Sequence, residues 1–223
     1  MRIETVTVTP FQQNARIVFD EKTLRGSVID PGGDVKLIMQ RIQQLGLTIE
    51  SVIATHAHID HVGGVKRLLR VLQDVGGASG PLVPFYAHSA EREMRASIQM
   101  QAAFYGLSPE DFENCPEPDG LLEDGEFIEF AGESVEVLFT PGHSPAHVSL
   151  YVAGAKDAPV LFAGDAIFAG SIGRTDIPGG NHRQLMESIE SKIFVLPDET
   201  VIMPGHGPNT TVGKEKRTKP FFN

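Results

Sequence analysis

Cysteine is almost absent from this sequence: Cys115 is the only one. No intrachain disulfide can form, so the fold has to rest on its core, and a reducing, cytoplasmic setting is expected. Long apolar runs are missing as well. No stretch is long enough to cross a bilayer, and the opening residues, Met1 to Val8, alternate as a strand does and lack the apolar block of a signal peptide. Positive charge is scarce, with 19 Lys and Arg against 29 Asp and Glu and a formal net charge of −10. That balance argues against nucleic acid or an anionic membrane as partner, and leaves room for a local basic pocket facing a small acidic substrate. Internal repeats and low-complexity tracts are absent too. What remains is 223 residues with 41 % hydrophobic side chains, enough for one layered core, and a single domain over residues 1–223 is expected.

What is present is organised around Thr55-His56-Ala57-His58-Ile59-Asp60-His61, where three imidazoles and a carboxylate share seven residues. Ser51-Val52-Ile53-Ala54 before it reads as a buried strand, and Val62-Gly63-Gly64-Val65 after it opens a helical pattern. The cluster therefore sits at the C-terminal end of a strand, where open α/β sheets build their sites. So many polar groups in a buried loop are costly without a partner. Imidazole and carboxylate together suit zinc, iron or manganese. His56 and His58, two apart in extended chain, point the same way and can grip one ion. Asp60 and His61 follow as the chain turns into the helix and can face a second.

Strands are predicted at 3–9, 15–19, 26–29, 51–54, 83–87, 127–130, 135–139, 148–152, 160–162 and 201–203. A helix is predicted from Val35 to about Gln44, with Asp34 as its cap, Leu37, Ile38, Ile42 and Leu45 inward and Gly46 as its end. Two more are predicted at 64–73, with Val65, Leu68, Leu69 and Leu72 inward, and at 182–195. Residues 89–105 read as a helix with a less clean apolar face, either a lid over the site or ordinary core. Gly76-Gly77-Ala78-Ser79-Gly80-Pro81 reads as a flexible loop, and the basic tail from Lys214 to Lys219 as a solvated terminus. Four strand ends deliver a ligand-type side chain, His56, His143, Asp165 and His206, and their loops are expected to converge on one edge of a sheet sandwich.

The HxHxDH run at 56–61, Thr140-Pro141-Gly142-His143, Gly164-Asp165 and Pro204-Gly205-His206 follow the order and separations of the metallo-β-lactamase superfamily. Over nearly its whole length the chain resembles that superfamily's glyoxalase II-like hydrolases. The resemblance implies an α+β fold, a four-layer αβ/βα sandwich of two mixed β-sheets flanked by helices. It implies two divalent metal ions per chain, zinc first, with iron or manganese also compatible. His56, His58 and His143 would hold one ion, Asp60, His61 and His206 the other, and Asp165 would bridge them. The implied reaction is hydrolysis of an acyl thioester such as S-lactoylglutathione, by attack of metal-bound hydroxide on the carbonyl, with Asp60 and Asp165 as the catalytic carboxylates. A thiolate departs without a strong acid and an amine does not, which favours thioesters over amides.

Arg174, in Ser171-Ile172-Gly173-Arg174-Thr175-Asp176, stands nine residues after Asp165. Glutathione-thioester hydrolases of this type place a basic residue there against the glutathione moiety, and Arg suits a carboxylate; an Arg174–Asp176 pair is the alternative. Two-domain glyoxalase II enzymes carry a further helical domain and a Tyr two residues after the last His. Here Pro208 stands at that place and 17 residues follow His206, so the likeness is to the short, single-domain bacterial branch. An iron-dependent persulfide dioxygenase and a lactonase are alternative readings of the same residues. His147 is expected to support the site from behind or to sit in the core rather than to bind metal, His88 and His182 to start helices, and Cys115 not to act as a nucleophile.

Overall fold

The computed structural model describes residues 1–77 and 82–218. Residues 78–81 of the expected loop and Lys219 of the basic tail lie outside them. The chain divides into two compact units, residues 1–121 with 130–132, and residues 122–129 with 133–223. Among the described residues no helix is long and apolar enough to cross a membrane.

The first unit carries a six-stranded sheet in spatial order β1 (Arg2–Val8), β2 (Gln13–Phe19), β3 (Arg25–Ile29), β4 (Thr48–Ile53), β5 (Phe85–Ala87) and β6 (Gly120–Leu121). β1, β2 and β3 pair antiparallel, and β3 to β6 pair parallel. Parallel neighbours need crossovers. These are α1 (Val35–Leu45) between β3 and β4, then α2 (Ile59–Val62) and α3 (Val65–Gly76) between β4 and β5, then α4 (Arg92–Arg95) and α5 (Ile98–Phe104) before β6. Ala15, Ile17, Phe19, Val28, Val52 and Phe85 of the strands pack in one core with Ile38, Ile42, Leu68 and Ile98 of the helices.

Three expectations are corrected here. Leu37 is 47 % exposed, because it lies about 200° around α1 from buried Val35. The buried stripe is Val35, Ile38, Met39 and Ile42. Asp34 makes no side-chain cap; its Oδ2 accepts from the Thr9 N–H at 2.7 Å instead and ties the start of α1 to the end of β1. Residues 89–105 are not one helix but a 3-10 turn at Ser89–Glu91, α4 and α5. Ser97 bonds back to the Met94 carbonyl at 3.0 Å between α4 and α5, a local bond that competes with helix continuation.

The second unit carries a sheet in the order β14-β13-β10-β9-β8-β7, with β7 (Phe127–Phe130), β8 (Glu133–Phe139), β9 (Val148–Val152), β10 (Val160–Gly164), β13 (Val201–Pro204) and β14 (Thr210–Thr211). β11 (Ile167–Phe168) and β12 (Ser171–Ile172) form a separate small hairpin. β9 runs antiparallel to both β8 and β10, and β13 parallel to β10. β8, β10 and β13 therefore end at the same edge. α6 (His182–Ser188) passes into a π turn at Ile189–Ile193 rather than continuing as α-helix to 195. Leu185, Ile189 and Ile193 bury against Leu161, Ala163 and Ile202.

The end of the chain is a correction too. Instead of a solvated terminus, Val212–Thr218 forms α7, with Val212, Gly213 and Glu215 buried. Glu215 Oε2 accepts from the Gly170 N–H at 2.9 Å, its Oε1 accepts from the Thr210 hydroxyl, and the cations around it face outward.

Candidate metal centre

Because β3 and β4 are parallel neighbours, their C-terminal ends deliver Asp30 and Thr55-His56 side by side. Asp30 is buried and its carboxylate has three donors around it. Oδ1 accepts from the Thr55 N–H at 2.7 Å; Oδ2 accepts from the Thr55 hydroxyl at 2.7 Å and from His61 Nδ1–H at 2.9 Å. Since the Thr55 hydroxyl proton goes to Asp30, its oxygen accepts from His56 Nδ1–H at 3.0 Å. One carboxylate thus fixes the tautomer of two imidazoles and leaves each Nε2 as the lone-pair nitrogen.

The four donors of this loop come together. The His56 and His61 rings stand 4.0 Å apart and His56 and His58 meet edge to face at 4.7 Å. The donor atoms of His56 and His58, of His56 and His61, and of Asp60 and His61 lie within 4.8 Å of one another. The loop is held against Asp30-Pro31-Gly32-Gly33 by the Gly64 N–H, which bonds the Pro31 carbonyl at 2.9 Å.

In the second unit the common edge of β8, β10 and β13 delivers His143, Asp165 and His206. His143 Nε2 lies 3.6 Å and His206 Nε2 3.4 Å from Asp165 Oδ2. Both are long for a hydrogen bond, but two ligands of one tetrahedral ion, with bonds of about 2.0–2.1 Å, stand about 3.4 Å apart. His143 Nδ1–H donates to the Arg174 carbonyl at 2.8 Å, so its Nε2 is again the lone-pair nitrogen. A Cβ on Gly173 would stand 2.0 Å from the Asp165 carbonyl oxygen and 2.9 Å from His143 Nδ1, so only glycine lets this turn close on both ligands. Of the two roles expected of His147, its bonds are those of a supporting residue. Its Nε2 accepts from the Asp165 N–H at 3.0 Å and its Nδ1–H donates to Thr140 Oγ1 at 2.8 Å. Imidazole-rich sets of this kind suit zinc, iron or copper-like ions over calcium and magnesium, and held Nδ1 atoms are what such sites require. The residues fit a transition metal.

The family model for the metallo-beta-lactamase superfamily matches residues 8–206. The chain belongs to the metallo-β-lactamase superfamily. Its two mixed sheets flanked by helices are that superfamily's fold, and it is an enzyme of a metallo-hydrolase superfamily. Hydroxyacylglutathione hydrolase GloC of Haemophilus influenzae is 35 % identical over 230 residues, covering 100 % of this chain and 99 % of that protein. Among solved structures, the BLEG-1 B3 metallo-β-lactamase is 32 % identical with a TM-score of 0.86, covering 100 % of both chains. A protein crystallised in a di-iron-bound form is 36 % identical with a TM-score of 0.82, over 98 % of this chain and 100 % of that one.

The remaining residues sort by what they touch. The Arg174 side chain pairs with Asp176 at 2.8 and 3.0 Å, both groups exposed, and these bonds hold the Asp176 carboxyl below its usual range. Cys115 is buried, and burial pushes its thiol up to about 12, which makes it inert at neutral pH. His88 accepts from the Ala90 N–H at the start of the 3-10 turn; His182 begins α6, but Asn181 is its cap, accepting from Gln184. Sequence reasoning missed Asp30, Glu91 and Gln101. Asp30 carried a usable signal, a carboxylate directly after an apolar strand, as with His56. Glu91 and Gln101 carried none.

Proposed function

We propose that the chain is a binuclear metal-dependent hydrolase of acyl thioesters, with S-lactoylglutathione as its substrate. The observation that carries this is the pair of donor sets. Four donors, His56, His58, Asp60 and His61, gather in one unit, and three, His143, Asp165 and His206, in the other, with Nδ1 of His56, His61 and His143 held. His56, His58 and His143 would hold one ion, Asp60, His61 and His206 the second, and Asp165 both. Zinc is the first choice, and iron the second given the di-iron relative. The full-length similarity to a hydroxyacylglutathione hydrolase supports the thioester.

Bound ions would supply a lowered pKa for water, down to near neutrality, and polarisation of a carbonyl. The chain's own groups do the rest. Asp60 would orient the attacking water, and Asp165 would supply negative charge to the ions it is assigned to hold. The leaving thiolate, with a parent pKa of about 8.5, needs no proton donor.

Arg174 would bind a glutathione carboxylate. Its exposed pair with Asp176 is a weak one and exchanges readily for a substrate group. Arg174→Ala is expected to raise KM for S-lactoylglutathione about 10-fold, the size of one charge-assisted bond partly exposed to water, with kcat nearly unchanged. If the arginine serves only Asp176, KM stays put.

The test is loss of thioester absorbance by purified chain of measured metal content. Turnover should vanish with a chelator and return with zinc or iron. A chain holding two ions that leaves S-lactoylglutathione intact sinks this substrate. Persulfide oxidation, lactone opening and β-lactam hydrolysis are then the reactions to measure.

A further inference from the structure

The segment between β5 and β6 holds the His56–His58 loop with two side chains. Glu91, at the end of the 3-10 turn, is 3 % exposed, and its Oε2 accepts from the Ala57 N–H at 2.6 Å. Gln101, on α5, accepts from the Ile59 N–H at 2.9 Å and donates to the Ala57 carbonyl at 3.3 Å and to the Met94 carbonyl at 3.1 Å. The three loop groups involved, Ala57 N–H, Ala57 C=O and Ile59 N–H, belong to the three successive peptides that join His56, Ala57, His58 and Ile59. Backbone groups in a buried loop need partners, and here two side chains of one segment supply all three.

That segment is itself anchored. Ile98 and Ala102 of α5 are fully buried in the first unit's core. Arg95, 2 % exposed, donates to the His88 carbonyl at 2.7 Å and to Glu117 at 3.3 Å, and its own carbonyl accepts from the Cys115 N–H at 2.9 Å. The topology explains the placement. β3, β4 and β5 are adjacent and parallel, so Asp30, His56 and Glu91 all leave the same sheet edge. His56 and His61 are held at their rings through Thr55 and Asp30. The two peptides that flank His58 are held by Gln101, and the peptide between His56 and Ala57 is held by Glu91.

We infer that Glu91 and Gln101 are positioning residues for the His56–His58 pair, Glu91 through the peptide after His56 and Gln101 through the peptides on either side of His58, and set the affinity of the ion that the pair holds. The inference rests on the ligand assignment proposed above. Groups that orient a ligand without touching the ion change metal affinity by about 10–100-fold when removed. They act on one ion when the ligands they orient are assigned to that ion, as His56 and His58 are. The two positions also differ chemically. Toward the Ala57 N–H, position 91 needs an acceptor, which Glu91→Gln keeps. Position 101 needs an acceptor and a donor, so Gln101→Glu loses the donor and sets a carboxylate against the Ala57 carbonyl.

The experiment titrates zinc into the metal-stripped full chain against a competing chelator, with circular dichroism to confirm folding. Glu91→Ala and Gln101→Ala should weaken one of two ions about 10–100-fold and leave the other unchanged. Glu91→Gln should restore the affinity and Gln101→Glu should not. Equal affinities in wild type and alanine variants, equal weakening of both ions, or a Glu91→Gln chain that behaves as Glu91→Ala overturns the inference alone. If the alanine variants fail to fold, the contrast between Glu91→Gln and Gln101→Glu decides it. A wild-type chain that takes up no ion overturns the reading of the centre and the inference with it.

Discussion

Gly32→Ala is expected to abolish stable metal uptake and to cost the metal-free chain more than about 4 kcal/mol, beyond the range of ordinary substitutions. Gly32 sits in the loop after β3, with its Cα facing the ligand loop. A Cβ there would stand 1.4 Å from the Asp60 carbonyl oxygen and 2.2 Å from the Asp60 carbonyl carbon. Both obstacles are backbone, so no side chain can rotate away. The two loops have to part by roughly 2 Å to reach van der Waals distance. Parting them pulls His61 Nδ1 from Asp30, now 2.9 Å away, and the Gly64 N–H from the Pro31 carbonyl, also 2.9 Å. Asp60 and His61 then leave the positions that gather them with the other donors. For a chain of this size, 1 kcal/mol corresponds to roughly 2–4 °C, so Tm should fall by at least about 8 °C. Calorimetry of the metal-free chain and elemental analysis after metal loading read the two effects. Gly76→Ala is the control, since a Cβ there meets nothing within 4 Å and the position ends a helix. A Gly32→Ala chain with wild-type Tm and two ions means that this close packing does not exist in solution.

Residues that announce themselves locally were legible. A β-branched run followed by His or Asp marks a strand end whatever the rest of the chain does, which is why His56, His143, Asp165 and His206 stood out. The two mixed sheets came from the resemblance, since periodicity alone does not tell which strands pair. What stayed hidden depends on that pairing. Asp30 serves Thr55 and His61 only because β3 lies beside β4. Glu91 meets Ala57 only because β5 lies on the other side of β4. Asp34 has the side chain of a helix cap, yet the Thr9 N–H at the end of β1 competes for its carboxylate and wins. Glu215 was masked by its neighbours. One carboxylate among Lys214, Lys216 and Arg217 reads as part of a solvated run, and only the position of Gly170 shows why it turns inward.

Asp30→Asn should separate folding from metal binding. The carboxylate accepts three hydrogen bonds in a buried place, two from Thr55 and one from His61. Asp30→Ala leaves those donors without an acceptor, at about 1–3 kcal/mol each, so instability and metal loss arrive together and cannot be told apart. Asparagine keeps the shape. Its oxygen can still accept from the Thr55 N–H, but its NH₂ then faces His61 Nδ1 and the Thr55 hydroxyl. A donor facing His61 Nδ1 forces the proton onto Nε2, the nitrogen a metal needs bare. The Thr55 hydroxyl, losing its acceptor, turns, and its hold on His56 Nδ1–H at 3.0 Å goes with it. His56 and His61 are assigned to different ions, so both affinities should fall, each by about 10–100-fold, while the metal-free chain unfolds within a few degrees of wild type. Nitrogen-15 NMR of the histidines reads the tautomer directly, and chelator competition reads the affinities. If Asp30→Asn keeps both imidazoles protonated at Nδ1 and both ions at wild-type affinity, the carboxylate is only a packing group. If the tautomers flip and the ions leave, Asp30 acts on the centre through two rings that it holds from behind.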